Sequence, residues 1–137
     1  MENEIEIIKN AAEQGDAESQ YAFGAYFEVM EKDFEKAIEW YKKAAEQGYA
    51  EAQSTLGVRY FNGEGVARDY EKAVEWFKKA VEHGDALAQC YLGYCYINEN
   101  GVSRDFGLGL DLLTKSAEKG CKQALTLLNQ LRQAIQQ

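Results

Sequence analysis

A chain of 137 residues suits one compact domain or a short array of repeats. Its 46% hydrophobic content, with nine Tyr, six Phe and two Trp, argues against disorder, which goes with few aromatics and little burial. A net charge of −8 opposes nucleic-acid binding, because that affinity comes from Lys and Arg displacing counterions from phosphates.

The longest apolar run, about Tyr21 to Phe27, is too short to span a bilayer. Met1-Glu2-Asn3-Glu4 lacks the basic and apolar regions of a signal peptide, so the expected setting is cytoplasmic, with neither membrane nor nucleic acid as partner. Three cysteines (Cys90, Cys95, Cys121), no CxxC and a single His, His83, make neither a disulfide framework nor a metal site. They read as free thiols of a reducing compartment. Cys90 and Cys95, five apart, fall on different faces of a helix.

Taken in chain order, the elements repeat. Residues 4–15 have the pattern of the second helix of a two-helix unit, a half-unit assigned to 2–15. Three full units follow, at 16–48, 49–84 and 85–120, with a closing helix at 121–137. Gly48, Gly84 and Gly120 are spaced by 36, as are Gly57 and Gly93, and Trp40, Trp76 and Leu112. The first unit is three residues shorter, and the loss falls between Phe27 and Phe34. Repetition at a fixed period of this length is the mark of a solenoid.

Within unit two, Ala52, Leu56 and Tyr60 stand four apart, one face of a first helix. Tyr70, Ala73, Val74, Phe77, Ala80 and Val81 give the i, i+3, i+4, i+7 series of a second. Asp33, Asp69 and Asp105 are placed as N-caps of second helices, and Asp85 caps the first helix of unit three. Gly48, Gly84 and Gly120 supply left-handed stops. Glu39/Lys43, Glu75/Lys79 and Asp111/Lys115 have the favourable four-residue spacing for ion pairs. The closing helix puts Ala124, Leu127, Leu128, Leu131 and Ile135 on one side. Gln123, Thr126, Asn129, Gln130 and Gln133 lie on the other, a polar outer face suited to the end of an array.

The strings Ala50-Glu51-Ala52-Gln53-Ser54-Thr55-Leu56-Gly57, Gly63-Glu64-Gly65-Val66-Ala67-Arg68-Asp69-Tyr70-Glu71-Lys72-Ala73 and Trp76-Phe77-Lys78-Lys79-Ala80 resemble the Sel-one-like repeat (SLR) family, a tetratricopeptide-like group. The resemblance implies an all-α, right-handed α–α superhelix that serves as an adaptor or scaffold for other proteins. Unit three departs from the pattern: Glu99 replaces a loop Gly, Gly109 a helix Ala and Leu112 the Trp. Gly107 and Gly109 within a helix each cost about 0.5–1 kcal/mol relative to Ala, which would make unit three the softest. A cysteine-rich secreted branch of the family carries a disulfide in each repeat, and the spacing for it is missing here.

First helices of such hairpins line the concave wall. Their core-side residues recur between units (Gln20, Gln53, Gln89; Phe23, Leu56, Leu92), the glutamines reading as buried amides that bond backbone between helices. The opposite side varies. Units that repeat where they pack and differ where they meet something else point to Tyr21, Val58, Phe61, Leu87, Tyr94 and Ile97 as an apolar strip for a peptide or partner helix. The alternative is that these residues fill contacts between repeats, which suits Phe61 and Ile97 equally well.

Residues 1–48 hold 12 acids against 5 bases, and Glu18, Glu28 and Glu51 on the varying side would favour a basic partner. Trp40 and Trp76, at one phase of the second helix, read as core or inter-helix residues. Catalytic, metal-ligating and cofactor-holding groups are not expected: one imidazole on a surface turn has no nucleophile marked beside it. The reading is therefore a non-enzymatic interaction module, monomeric or weakly dimeric end to end. An immunity or inhibitor protein against a basic toxin or effector is the alternative, and a cell-wall or β-lactam hydrolase the alternative of another class.

Overall fold

The computed structural model describes residues 3–137; Met1 and Glu2, the latter the first residue of the expected half-unit, lie outside them. Among the described residues there are eight helices and no strand. They are α1 (Glu4–Glu13), α2 (Ala17–Val29), α3 (Phe34–Glu46), α4 (Ala50–Asn62), α5 (Tyr70–Glu82), α6 (Ala86–Asn98), α7 (Phe106–Glu118) and α8 (Lys122–Gln136). Each packs on its neighbour in sequence, and the whole is a right-handed α–α solenoid.

Local chemistry sets the helix ends. Carboxylates of Asp33, Asp69 and Asp105 accept from the backbone N–H of Lys36, Lys72 and Leu108 at 3.0, 3.1 and 3.0 Å. Asp85 accepts from Ala88 at 2.8 Å, and Asp16 caps α2 in the same way through Ser19 at 3.0 Å. Each such cap contributes about 1 kcal/mol. Of the four-spaced charge pairs, only Asp111–Lys115 closes among the described residues, at 3.2 Å. Lys43 and Lys79 lie instead over the rings of Trp40 and Trp76, at 4.3 and 4.6 Å. Leu112 offers no such ring, so Lys115 turns to its carboxylate. Both Trp are half-buried rather than fully in the core.

Tyr41, Leu56 and Phe77 are fully buried in the main core, each burial stabilising by about 1.5–3 kcal/mol. A smaller cluster of Cys90, Leu113 and Ala124, with Ile97, Leu127, Leu128 and Leu131 packed on it, joins α6, α7 and α8. Gln20 and Gln53 donate to the carbonyls of Ala12 and Ala45, both at 3.2 Å, tying a first helix to the last turn before it. Gln89 is equally buried, and its Oε1 and that of Gln53 have no partner.

Unit three corrects one expectation. A Cβ at Gly109 would lie 2.6 Å from Ile97 Cγ1 and 2.9 Å from the Gly93 carbonyl oxygen. That glycine therefore lets α6 and α7 approach, and is no simple defect. Gly107 is exposed, with nothing nearer than 3.8 Å to an added Cβ. Gly107→Ala is expected to stabilise the chain by about 0.5–1 kcal/mol through helix propensity. Gly109→Ala is expected to destabilise it despite the same propensity gain, as urea unfolding would show.

Candidate functional site

The first helices α2, α4 and α6, with α8 in the same role, stand side by side along one wall. The residues that vary between units are where these helices meet. Tyr21 and Thr55 share a hydrogen bond of 3.2 Å between their hydroxyls. Arg59 donates to both oxygens of Glu28, at 2.8 and 2.7 Å. The Ser54 hydroxyl lies between the Glu51 carbonyl, at 3.1 Å, and the Asp85 carboxylate, at 3.3 Å. The Phe61 ring stands edge-on to Tyr91 and Tyr94, with centroids 5.4 and 5.9 Å away.

These contacts change the status of several expected site residues. Val58 is buried, 8% exposed; α4 is covered by its neighbour there, so Val58 packs in the core and leaves the strip. Glu28 is held bidentately and its charge is neutralised by Arg59, so it adds little attraction for a basic partner. Tyr21 is half-buried, its ring 5.4 Å from Tyr41 and 5.5 Å from Tyr49. Leu87 is half-buried against the main core. Glu18 and Glu51 remain exposed, and both lie near Tyr49: desolvation, then the charges of Glu51 and Glu18, raise its phenol above the ordinary range.

Phe61, Tyr94 and Ile97 are brought together at the other end of the wall. An open groove of about 440 Å³ lies between α4, α6 and α8, walled by Phe61, Tyr91, Tyr94 and Leu127, with Cys90 and Lys122 among its lining residues. Ile97 and Tyr94 line an adjoining hollow of about 210 Å³. Tyr91 was not singled out from the sequence. Its ring stacks on Phe77 at 5.3 Å, and burial raises its phenol first of all causes.

The α8 wall was not foreseen either. Gln123, Thr126 and Gln130, read as a polar outer face, line the groove, because α8 follows α7 as a first helix would and turns that side toward α6. Leu125 and Ile135 of α8 are 53% and 70% exposed, so the apolar side expected to include Ile135 is covered only as far as Leu131. Among the described residues no cluster of His, Cys, Asp or Glu is placed to hold a metal ion, and no helix is long and apolar enough to cross a membrane.

The Sel1 repeat model matches residues 17–49, 50–85 and 86–121. The chain belongs to the Sel1 repeat family. Sel1 repeats serve generally as protein-interaction modules, a generally non-catalytic fold. The chain is similar to a protective antigen present in uropathogenic Escherichia coli strains, described as displaying an SLR fold, with a TM-score of 0.83 and 41% identity over 90% of this chain and 27% of that one. A Sel1 repeat protein from Oxalobacter formigenes matches with a TM-score of 0.79 and 35% identity, over 88% of this chain and 51% of that one. Cysteine-rich protein B of Helicobacter pylori shares the fold, with a TM-score of 0.66 at 21% identity over 90% of both chains. The chain thus spans only about a quarter and about a half of the first two proteins. Comparison with curated protein sequences gave no match.

Proposed function

We propose that this Sel1 repeat array is a non-enzymatic adaptor that holds a segment of a partner protein along its first-helix wall, with an apolar anchor side chain seated between α4, α6 and α8. The groove of about 440 Å³ walled by Phe61, Tyr91, Tyr94 and Leu127 carries this reading. It is large enough for one aromatic side chain with its flanking backbone, and aromatic walls of this kind are the usual anchors of an interface.

The exposed pair Glu18 and Glu51 sets the rest of the ligand's character. Basic residues of the segment would lie toward α2, with the anchor toward α8, so that charge speeds encounter and orients the chain. The cytoplasm is the setting this reading keeps, on the odd number of free cysteines.

Selection from a randomised peptide library displayed on phage tests this. The expected binders carry an aromatic or long aliphatic residue with Lys or Arg a few residues away. Tyr94→Ala is expected to weaken the selected peptides by tenfold or more, about 1.4 kcal/mol, while the melting temperature stays within a few degrees. Glu18→Lys with Glu51→Lys is expected to weaken them in a salt-dependent way. No enrichment, or equal binding by Tyr94→Ala, would overturn the proposal.

A further inference from the structure

The two sides of the groove offer different chemistry. Toward α4 and α6 it is aromatic, with Phe61 edge-on to Tyr91 and Tyr94. Toward α8 it is mostly polar, lined by Lys122, Gln123, Thr126 and Gln130 with Leu127 among them. Thr126 is committed to its own helix, its hydroxyl donating to the Lys122 carbonyl at 3.0 Å. Gln123 and Gln130 are exposed, and each side-chain amide brings two donor hydrogens and an acceptor to the groove.

The spacing of the two amides selects the backbone that fits them. Gln123 and Gln130 are seven residues apart, so they share one face of α8 to within about 20°. Along the axis they are separated by about 10.5 Å, at about 1.5 Å per residue. A partner helix has no use for such a pair, because its backbone groups are bonded internally. A β-strand covers the distance in three residues, at about 3.3 Å each, but residues three apart then point to opposite sides. Polyproline II covers about 9.3 Å in one turn of three residues, at about 3.1 Å each. It presents the same edge at every third residue, and its carbonyls are free. Charge orders the ends of such a segment. Among the described residues lining the groove Lys122 alone is charged, and the first turn of α8 has no acid. Glu18 and Glu51 stand in the first turns of α2 and α4.

We propose that the groove's occupant is a proline-rich segment in the polyproline II conformation. Its apolar anchor packs against Phe61 and Tyr94, and carbonyls one turn apart accept from the amides of Gln123 and Gln130. An acidic residue of the segment lies at the Lys122 end. This assignment rests on the adaptor reading and names the class of segment that docks. Proline has no N–H, so such a segment offers the groove chiefly acceptors, which glutamine amides meet. Aromatic-lined grooves are the usual seats of polyproline II. Because its conformation is set before binding, little freedom is lost on docking.

Peptides enriched in the library selection, resynthesised and titrated against the full chain, test this. Prolines are expected within about three residues of the anchor, one polyproline II turn away, with no gain of helical circular dichroism on binding. Replacing those prolines with alanine is expected to weaken binding by about threefold or more, since the free peptide is then less ordered. Gln123→Ala and Gln130→Ala are each expected to weaken it by about three- to tenfold, with the melting temperature unchanged. Lys122→Glu is expected to weaken a peptide with an acidic end and to favour its lysine-ended counterpart. Three results would each overturn the assignment while leaving the adaptor reading in place: Tyr94-dependent binders without enriched proline, binders that turn helical on docking, or binders indifferent to both glutamines. Absence of any binder would overturn both.

Discussion

Gly57→Ala is expected to cost the wild-type chain about 1–3 kcal/mol, and to become neutral or stabilising once Phe77 is replaced by alanine. A Cβ at position 57 would lie 2.5 Å from Phe77 Cε1 and 2.6 Å from its Cδ1. Phe77 is fully buried and its other flank is stacked on Tyr91, so the ring has nowhere to retreat. The gain of about 1 kcal/mol in helix propensity does not cover such a collision. Phe77→Ala alone is expected to cost about 3–5 kcal/mol, from lost transfer energy and the cavity left behind. A chain of this length has roughly 7–20 kcal/mol in all, so the variant still folds. In that background the added methyl at 57 meets open space and keeps its propensity gain. Urea unfolding of the four proteins gives the coupling, expected at about 2–3 kcal/mol. Equal costs of Gly57→Ala in both backgrounds would refute close helix approach as the reason for that glycine. Phe77 also supports Tyr91, so a displaced ring reaches the groove wall, and stability and binding are joined at this point.

The helices, their caps and the array were legible because each is signalled locally: an Asp before an apolar series, a Gly after it, and a period that brings both back. The groove was legible only in part. Variation on the open side of the first helices was read as contact with a partner, but half of it records contact between the first helices themselves. The chemistry differs from junction to junction: a hydroxyl pair at Tyr21 and Thr55 and an ion pair at Glu28 and Arg59 between α2 and α4, and aromatic edges at Phe61 between α4 and α6. A helical wheel for one unit cannot show this, because it has no neighbour on it. Val58 was misplaced for that reason, and Tyr91 was missed because its ring serves both core and groove. The α8 wall was hidden by its glutamines and threonine, whose polarity suits a solvent-facing end as well as a groove.

Gly101→Ala is expected to cost about 3 kcal/mol, about twice the effect of Gly48→Ala, although both glycines have positive φ, +77° and +91°. The left-handed region costs a residue with a Cβ about 1–2 kcal/mol, and that is all Gly48 should lose, since nothing lies within 4 Å of its added Cβ. At Gly101 the Cβ would lie 2.5 Å from the Tyr70 carbonyl oxygen, 2.6 Å from its carbon and 2.9 Å from Glu71 N. These are backbone atoms at the start of α5, in the preceding unit, and no rotamer change can move them. Gly65 stands in the same relation to Phe34, 2.8 Å from its carbonyl oxygen. The loop between the helices of one unit therefore rests on the second helix of the unit before it, and the glycine is the spacer. Stability of a solenoid is close to a sum of unit terms and neighbour interfaces. Gly48→Ala alters one helix end, whereas Gly101→Ala alters an interface. In hydrogen exchange, Gly101→Ala should therefore loosen the first turn of α5 as well as its own loop, while Gly48→Ala should leave α5 unchanged. Similar unfolding free energies for the two variants would mean that the loop does not couple the units, and that their alignment comes from helix packing alone.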